Sequence, residues 1–145
     1  MCIRDRMYVI GATNKPWSLD HPFLRRFQKR IYVSLPSTQA REKLFDLYTS
    51  PLKKNSRVNS LSLAKQFDGY SASDIRDVCQ SVEMEVVNEL VRSPDYHEPV
   101  AGETPSMPRE LNMTDFKNIK IKRKPSVSTE MVRAYHKWSE QFRAL

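Results

Sequence analysis

Residues 9–16 are Val9-Ile10-Gly11-Ala12-Thr13-Asn14-Lys15-Pro16, an apolar run that ends on polar residues and a proline. Short continuous apolar runs are typical of strands that are buried on both faces of a parallel sheet. We therefore predict a strand over residues 7–12, which ends before Pro16 because the residue before a proline disfavours helix. Asn14 then follows the carboxyl end of a buried strand, which is where open α/β sheets bind their ligands.

A second segment combines acidic, aromatic and basic residues, in Asp20-His21-Pro22-Phe23-Leu24-Arg25-Arg26-Phe27. Asp20 can cap a short helix and Pro22 suits its first turn, so we predict a helix that ends near Arg26. Residues 29–35 include β-branched and aromatic types and predict a second strand, which Pro36 ends. Strand, helix and strand form one α/β unit, but two strands alone cannot build a parallel sheet.

The remainder of the chain favours helices. Apolar residues at helical spacing predict a first helix around Phe45 and a second, shorter helix around Leu63. Ser71 and Asp74 have the spacing of a capping box, which predicts the start of a long amphipathic helix. Its apolar positions continue to about Arg92.

Beyond that helix, residues 93–112 are polar and rich in proline, and they predict a loop. Thr114 can cap a further short helix, after which Lys120–Lys124 is a basic run. Ser128 can cap a last helix. Its apolar stripe consists of Met131, Tyr135, Trp138 and Phe142. Most such stripes belong to a core, although a terminal helix can also dock on an adjacent subunit through an aromatic face.

The composition limits the chemistry of the chain. It has 145 residues with 24 basic and 17 acidic side chains, so an acidic partner or nucleic acid is permitted but not required. The two cysteines lie far apart and the histidines are isolated, so we predict neither a disulfide framework nor a metal site. Such cysteine usage favours a reducing, cytoplasmic location, and no apolar run approaches the length of a membrane helix.

Residues 1–6 match neither a strand nor a helix start, and we expect them to be a leader that is not native.

Three features could carry chemistry, and each also has an ordinary structural interpretation. Asn14 could orient a water or contact a terminal phosphate, or it could be a turn asparagine beside a proline. Arg25 and Arg26 could stabilise charge on a transferring phosphoryl group, or they could be a solvated, basic helix end. The helix N-terminus after Ser71 could line a nucleotide pocket, or it could simply be well capped.

In their order along the chain, these features resemble the second half of an AAA ATPase module. The resemblance is carried by Gly11-Ala12-Thr13-Asn14-Lys15-Pro16, Leu19-Asp20, Leu24-Arg25-Arg26-Phe27, Arg30-Ile31-Tyr32, Leu35-Pro36 and Gly69-Tyr70-Ser71-Ala72-Ser73-Asp74-Ile75. The ending Lys124-Pro125-Ser126-Val127-Ser128, with the aromatic helix after it, is similar to the clade of vacuolar-sorting, katanin and spastin ATPases. Within this clade the chain looks most like archaeal cell-division ATPases, which act on ESCRT-III-like filaments.

The resemblance implies a fold in two parts. Residues 7–36 would be the end of an α/β large domain with a parallel sheet, and residues 37–124 would be an all-α lid domain. Residues 125–145 would form a C-terminal helix that packs back toward the large domain and the ring interface. The proline-rich loop at 93–112 is too short to be the complete β insertion that the eukaryotic vacuolar-sorting enzyme uses for a cofactor protein.

The resemblance also implies the roles of particular residues. Asn14 matches the sensor that positions the hydrolytic water near the γ-phosphate. Arg25 and Arg26 match the paired arginine fingers that act in trans, at the ATP site of the neighbouring subunit. Ala72 and Ser73 match lid residues near the adenine, although the family usually has glycine at the position of Ala72. The implied cofactors are ATP and Mg²⁺.

For the intact protein, the resemblance implies an ATP hydrolase that forms a ring, typically a hexamer. Its substrate would be a filament-forming protein that it remodels or disassembles, with no specific nucleic acid. The sequence has three glycines and contains no G-x-x-x-x-G-K-[ST] loop, acidic metal-binding motif or pore loop. ATP and Mg²⁺ would therefore be held mainly by an upstream half, and we expect this chain alone, as a C-terminal fragment, to be inactive.

Two other functions stay open at this point. The chain could be a non-enzymatic basic helical module that binds nucleic acid or an acidic protein through its net charge and Lys120–Lys124. A steep salt dependence of binding would distinguish that module from an ATPase fragment. The chain could also belong to an inactive relative that joins mixed rings and donates arginine fingers without hydrolysing ATP.

Overall fold

The computed structural model describes residues 8–94, 96 and 106–142, and this part of the protein is helical. In these residues a 3₁₀ turn over Pro16–Ser18 precedes six α-helices. The helices are α1 His21–Arg26, α2 Thr38–Thr49, α3 Ser60–Gln66, α4 Ala72–Val91, α5 Met113–Lys122 and α6 Thr129–Gln141. The chain divides into two compact units, one from Ser34–Ser128 and the other from residues 8–33 together with 129–142.

The two predicted strands are absent from the described residues. Residues 8–15 and 27–36 contain no strand, and Val9 and Ile10 are 71% and 93% exposed instead of buried. A strand needs neighbours to satisfy its backbone N–H and C=O groups, and two strands without a sheet are at best marginally stable. No further strand is present among the described residues to lie beside these two segments. The α/β part of the expected fold is therefore not confirmed.

The core of the Ser34–Ser128 unit is formed by α2, α3, α4 and α5. Helix α2 packs against both α3 and α4, and α4 packs against α5. Three phenylalanines meet at its centre, with the ring of Phe45 5.4 Å from that of Phe67 and 6.3 Å from that of Phe116. Around them lie Leu63, Ile75, Val78, Val82 and Val86. Helical spacing of these apolar side chains explains why this part of the sequence folds as predicted.

A buried arginine lies at one end of this core. Arg41 on α2 donates from Nε to the carbonyl oxygen of Ala64 at 2.9 Å and from Nη1 to that of Pro36 at 2.8 Å. Its Nη2 lies 2.8 Å from a carboxylate oxygen of Asp68. A buried cation is costly unless it is paired and hydrogen-bonded, and these partners satisfy it. Arg41 thus joins the start of α2 to the end of α3.

Capping residues set the helix starts. Ser37 accepts a hydrogen bond from the N–H of Ala40 and so caps α2. Helix α5 begins after Asn112, so the prediction that Thr114 caps it is wrong by two residues. The carboxylate of Asp115 accepts from the N–H of Asn112 at 2.8 Å, and this contact fixes the earlier start. Gly69 adopts a positive φ of 80° between α3 and α4, a conformation that favours glycine.

Half of the predicted loop at 93–112 lies outside the described residues, and residues 1–6 lie outside them entirely. Its described end is anchored by Arg109, which donates to Glu89 on α4 at 2.7 Å and to Asp115 on α5 at 2.9 Å. These hydrogen bonds raise the pKa of Arg109 and, despite partial burial, lower the pKa of Asp115. The ion pairs join the end of the loop to both helices.

Candidate functional site

Asn14 lies in a short turn that precedes the 3₁₀ turn. The backbone N–H of Lys15 donates to the hydroxyl of Thr13 at 3.0 Å, and the ring of Pro16 is buried directly after it. The carbonyl oxygen of Asn14 accepts a hydrogen bond from the hydroxyl of Tyr135 at 2.5 Å. The side chain of Asn14 is exposed and forms no hydrogen bond within the described residues. Its amide can therefore contact a ligand while its main chain is held.

Arg25 and Arg26 occupy the last turn of α1, as predicted. The helix begins after Asp20 and has a proline in its first turn, although the Asp20 carboxylate does not cap it. Leu24, which is 6% exposed, is the side chain that anchors α1. Both arginines are exposed, and neither has an ion pair or hydrogen bond in the part of the chain that the structure describes. Their charges complement the carboxyl end of α1, but their guanidinium groups are available to an external anion.

A third arginine lies just beyond this helix and is half-buried. Arg30 donates from Nη2 to the carbonyl oxygen of Leu24 at 2.7 Å and from Nη1 to that of Phe142 at 3.2 Å. Its guanidinium carbon also lies 5.8 Å from the centre of the Phe142 ring, within the range of a cation–π contact. Arg30 therefore joins the end of α1 to the end of α6.

Helix α6 presents its aromatic face to the same segment. The ring of Tyr135 lies 5.1 Å from that of Trp17 and 6.3 Å from that of Tyr32. Tyr32 also meets His136 edge-on at 5.2 Å. Such pairs add stability beyond the apolar area that they bury. The predicted apolar stripe thus packs on residues 8–33, and one helix contacts both the Asn14 turn and the segment after α1.

The N-terminus of α4 has the predicted capping box. Ser71 accepts from the N–H of Asp74 at 3.1 Å, and the Asp74 carboxylate accepts from the N–H of Ser71 at 2.9 Å. The same carboxylate accepts from the hydroxyl of Ser126 at 3.1 Å. Partial burial alone would raise the pKa of Asp74, but the hydrogen bonds from Ser71 and Ser126 lower it below its usual value. Asp74 therefore stays ionised and holds the segment around Ser126 against α4.

Ala72 and Ser73 are the first two residues of α4, and both are exposed. They belong to the Ser34–Ser128 unit, whereas Asn14 and the arginine pair belong to the other unit. The structure thus brings Asn14 and α1 into one unit through α6, and Ala72 and Ser73 belong to the second unit.

Among the described residues, the Ser34–Ser128 unit has open concavities on its surface. One of about 550 Å³ lies between α4 and α5, and one of about 480 Å³ lies between α3 and α5. Neither includes Ala72 or Ser73. In the described residues no three His, Cys, Asp or Glu side chains form a metal-binding group. Burial raises the pKa of the Cys79 thiol to about 12, so this cysteine is not an activated nucleophile.

Sequence reasoning did not assign roles to Arg30, Tyr135 or Ser126. Arg30 and its partner Phe142 are 112 positions apart, and Tyr135 and Asn14 are 121 positions apart. Periodicity detects neighbours within one element and carries no information at such separations. For Ser126 the sequence offered only its position after a proline near the start of the last helix, which does not identify its partner Asp74.

None of the helices in the described residues is long and apolar enough to cross a membrane.

Comparison with known proteins shows what the chain is similar to. No family model matches the chain. Over 140 residues it is 47% identical to cell division protein C of Sulfolobus acidocaldarius, an alignment that covers 97% of this chain and 34% of that protein. The chain thus spans about a third of that curated relative.

Solved structures of other proteins share the fold. The AAA domain of FIGL-1 in complex with ADP superposes with a TM-score of 0.77 and 27% identity, over 91% of this chain and 44% of that one. A katanin structure that describes the basis of self-assembly superposes with a TM-score of 0.71 and 26% identity, over 86% of this chain and 44% of that one. The coverage agrees with the prediction that the chain corresponds to one part of a longer AAA protein. The chain is thus similar in sequence to cell division protein C and to a katanin p60 ATPase-containing subunit, and similar in fold to the AAA domain of FIGL-1.

Proposed function

We propose that this chain supplies the part of an AAA ATPase that triggers hydrolysis. Arg25 and Arg26 reach the ATP site of a neighbouring subunit, and Asn14 positions the attacking water. The observation that carries the proposal is the position of two adjacent, exposed arginines at the end of α1, without a partner in the described residues.

The chemistry of the guanidinium group supports this role. Phosphoryl transfer spreads negative charge over the transferred oxygens, and catalysis consists largely of positioning and electrostatic stabilisation. Arginine is always charged, and its planar fork matches phosphate oxygens. When an arginine finger of this type comes from another protein molecule, it can raise the rate of turnover by about 10³- to 10⁵-fold. Arg25 and Arg26 would then make turnover depend on assembly.

Asn14 has the arrangement that a sensor requires. Its main chain is fixed by Tyr135, while its uncharged amide is exposed. An amide both donates and accepts hydrogen bonds, so it can hold a water with one atom and contact a phosphate oxygen with the other. A carboxylate at this position would repel the phosphate. The amide therefore suits a site that binds a triphosphate.

The proposed site residues suit ATP, but they lack the carboxylates that Mg²⁺ prefers. The cationic pair on α1 and the exposed start of α4 at Ala72 and Ser73 suit the phosphate and adenine ends of ATP. Mg²⁺ prefers carboxylate and phosphate oxygens and waters, and none of the proposed site residues carries a carboxylate. We therefore assign Mg²⁺ to residues outside this set. When bound, the ion would neutralise charge on the phosphates.

For the intact protein we propose a ring, typically a hexamer, that couples ATP hydrolysis to the remodelling of ESCRT-III-like filaments in cell division. Support comes from the similarity to cell division protein C and from the katanin structure that concerns self-assembly. We place the protein in the cytoplasm, as its cysteine usage suggests.

The alternative of a nucleic-acid-binding module finds less support. In the basic run, Lys122 pairs with Glu85 at 3.0 Å, and the ammonium of Lys120 lies 5.7 Å from the centre of the Phe67 ring. Two of its cations therefore already have internal partners.

The proposal is tested by Arg25→Ala in the intact ATPase, with Lys29→Ala as a control. Lys29 is an exposed cation near the same helix, without a partner in the described residues. We expect Arg25→Ala to leave ATP binding intact and to lower turnover by at least about 10³-fold, because a finger acts on the transition state. Normal turnover by Arg25→Ala would show that Arg25 does not act as an arginine finger.

A further inference from the structure

The helix that carries the arginine pair is unusually short. Helix α1 has six residues, and its C-cap Phe27 is already extended. The last carbonyl groups of a helix have no intrahelical partner, and a helix of this length is not stable by itself. The direction of Arg25 and Arg26 therefore depends on whatever fixes the final turn of α1.

Arg30 is the group that fixes this turn in the structure. Its Nη2 donates to the carbonyl oxygen of Leu24 at 2.7 Å, which is the peptide that leads directly into Arg25. A cation at this end also complements the helix dipole. The contact is charge-assisted and half-buried, so it is stronger than an exposed neutral hydrogen bond.

The other side of the guanidinium is anchored by Phe142, the residue directly after α6. Nη1 donates to the carbonyl oxygen of Phe142 at 3.2 Å, and the Phe142 ring lies under the cation at 5.8 Å. Phe142 packs against Trp138 at 4.9 Å and against His21, the first residue of α1, at 6.1 Å. One aromatic residue therefore supports the start of α1 directly and its end through Arg30.

We propose that Arg30 is a positioning residue, which fixes the last turn of α1 so that Arg25 and Arg26 point toward the neighbouring ATP site. This inference rests on the proposed function. Arg30 itself does not touch the nucleotide, because two of its nitrogens are occupied by carbonyl groups and its Nε is buried. Lysine cannot replace it, since a single ammonium lacks the planar fork that reaches two carbonyls in different directions.

The test uses the intact ATPase with Arg30→Lys and Arg30→Met, and with Lys29→Ala as the control. A small misplacement of a catalytic group can cost about 10²-fold, so we expect both Arg30 variants to lower kcat by about 10- to 100-fold. KM for ATP should change by less than about threefold, because positioning of the arginine pair affects the transition state and not ground-state binding. Lys29→Ala should behave like the parent.

A mixed-subunit assay separates positioning from general destabilisation. Arg30→Lys subunits keep an intact nucleotide pocket, so fingers from subunits that are inactivated in their own pocket should restore turnover. A variant that is merely misfolded would not be restored, and that result would overturn the inference. Equal losses in ATP affinity and turnover would overturn it as well.

Arg25→Ala, measured in parallel, distinguishes a failure of the positioning role from a failure of the proposed function. If Arg25→Ala abolishes turnover and Arg30→Lys leaves it unchanged, the positioning role is wrong and the proposed function stands. If Arg25→Ala itself retains normal turnover, the proposed function fails, whatever the Arg30 variants do.

Discussion

The hydroxyl of Tyr135 donates a hydrogen bond of 2.5 Å to the carbonyl oxygen of Asn14, across 121 positions of the sequence. This bond connects the aromatic face of α6 to the turn that presents the candidate sensor amide. The turn is also held by the hydrogen bond from Lys15 to Thr13, by the buried ring of Pro16 and by the packing of Trp17 on Tyr135. Tyr135 of α6 therefore contributes two of the contacts that hold the Asn14 turn in place.

Removal of this hydroxyl should loosen the turn. We expect Tyr135→Phe to increase amide hydrogen exchange over residues 13–18, because a lost hydrogen bond of this kind is worth about 0.5–1.5 kcal/mol. Tyr32→Phe is the matched control, since Tyr32 packs against the same ring but its hydroxyl has no partner in the described residues. Unchanged exchange in Tyr135→Phe would show that the contact does not order the turn.

The helical core predicts a large effect at Phe45. Its side chain is 0% exposed and packs against Phe67 and Phe116, whereas Leu47 on the same helix is 63% exposed. We expect Phe45→Ala to lower the free energy of unfolding by about 3–5 kcal/mol through lost burial and a cavity. Leu47→Ala should change it by less than about 0.5 kcal/mol. Chemical denaturation followed by circular dichroism measures both, and similar losses in the two variants would contradict this core.

The capping carboxylate of α4 predicts a pH dependence. The folded-state pKa of Asp74 is lowered, so its contribution to stability is present above the unfolded pKa and is lost as the pH falls through the folded pKa. We expect the free energy of unfolding to fall below about pH 4, near the unfolded value of an aspartate. Asp74→Asn should make this fall shallower. Asp20→Asn removes a carboxylate at a cap without a side-chain hydrogen bond and is the matched control for the charge change.

The chain by itself should not bind ATP. Its sequence contains no phosphate-binding loop, and the proposed arginines act on a neighbouring site. Calorimetric titration of the 145-residue chain with ATP should therefore show no heat beyond dilution, and no phosphate should be released. Tight binding would mean that these residues hold a complete nucleotide pocket.

The helices could be predicted from the sequence, and the contacts between distant segments could not. Ser71 and Asp74 are three residues apart, so their capping box is a local property, and α4 begins where the box predicts. The strands over 7–12 and 29–35 were predicted from apolar and β-branched composition. Such composition shows only that these residues would fit into a sheet if one were present. Whether a strand forms depends on its neighbours, and the described residues provide none.

For the candidate site, the sequence likewise predicted the residues that could act but not the distant contacts that hold them in place. The order of Asn14, Arg25 and Arg26 pointed to the family, and the homologues support that assignment. The individual roles of these residues stay predictions. Arg30 and Tyr135 were found only in the structure, because each acts through a partner more than one hundred positions away.

We propose that Arg25 and Arg26 complete the ATP site of the adjoining subunit. The most direct measurement is a structure of the assembled protein with a non-hydrolysable ATP analogue. We expect at least one of the two guanidinium groups to lie about 3 Å from a γ-phosphate oxygen bound to the next subunit. An assembly in which both groups point into solvent, far from every bound nucleotide, would contradict the account.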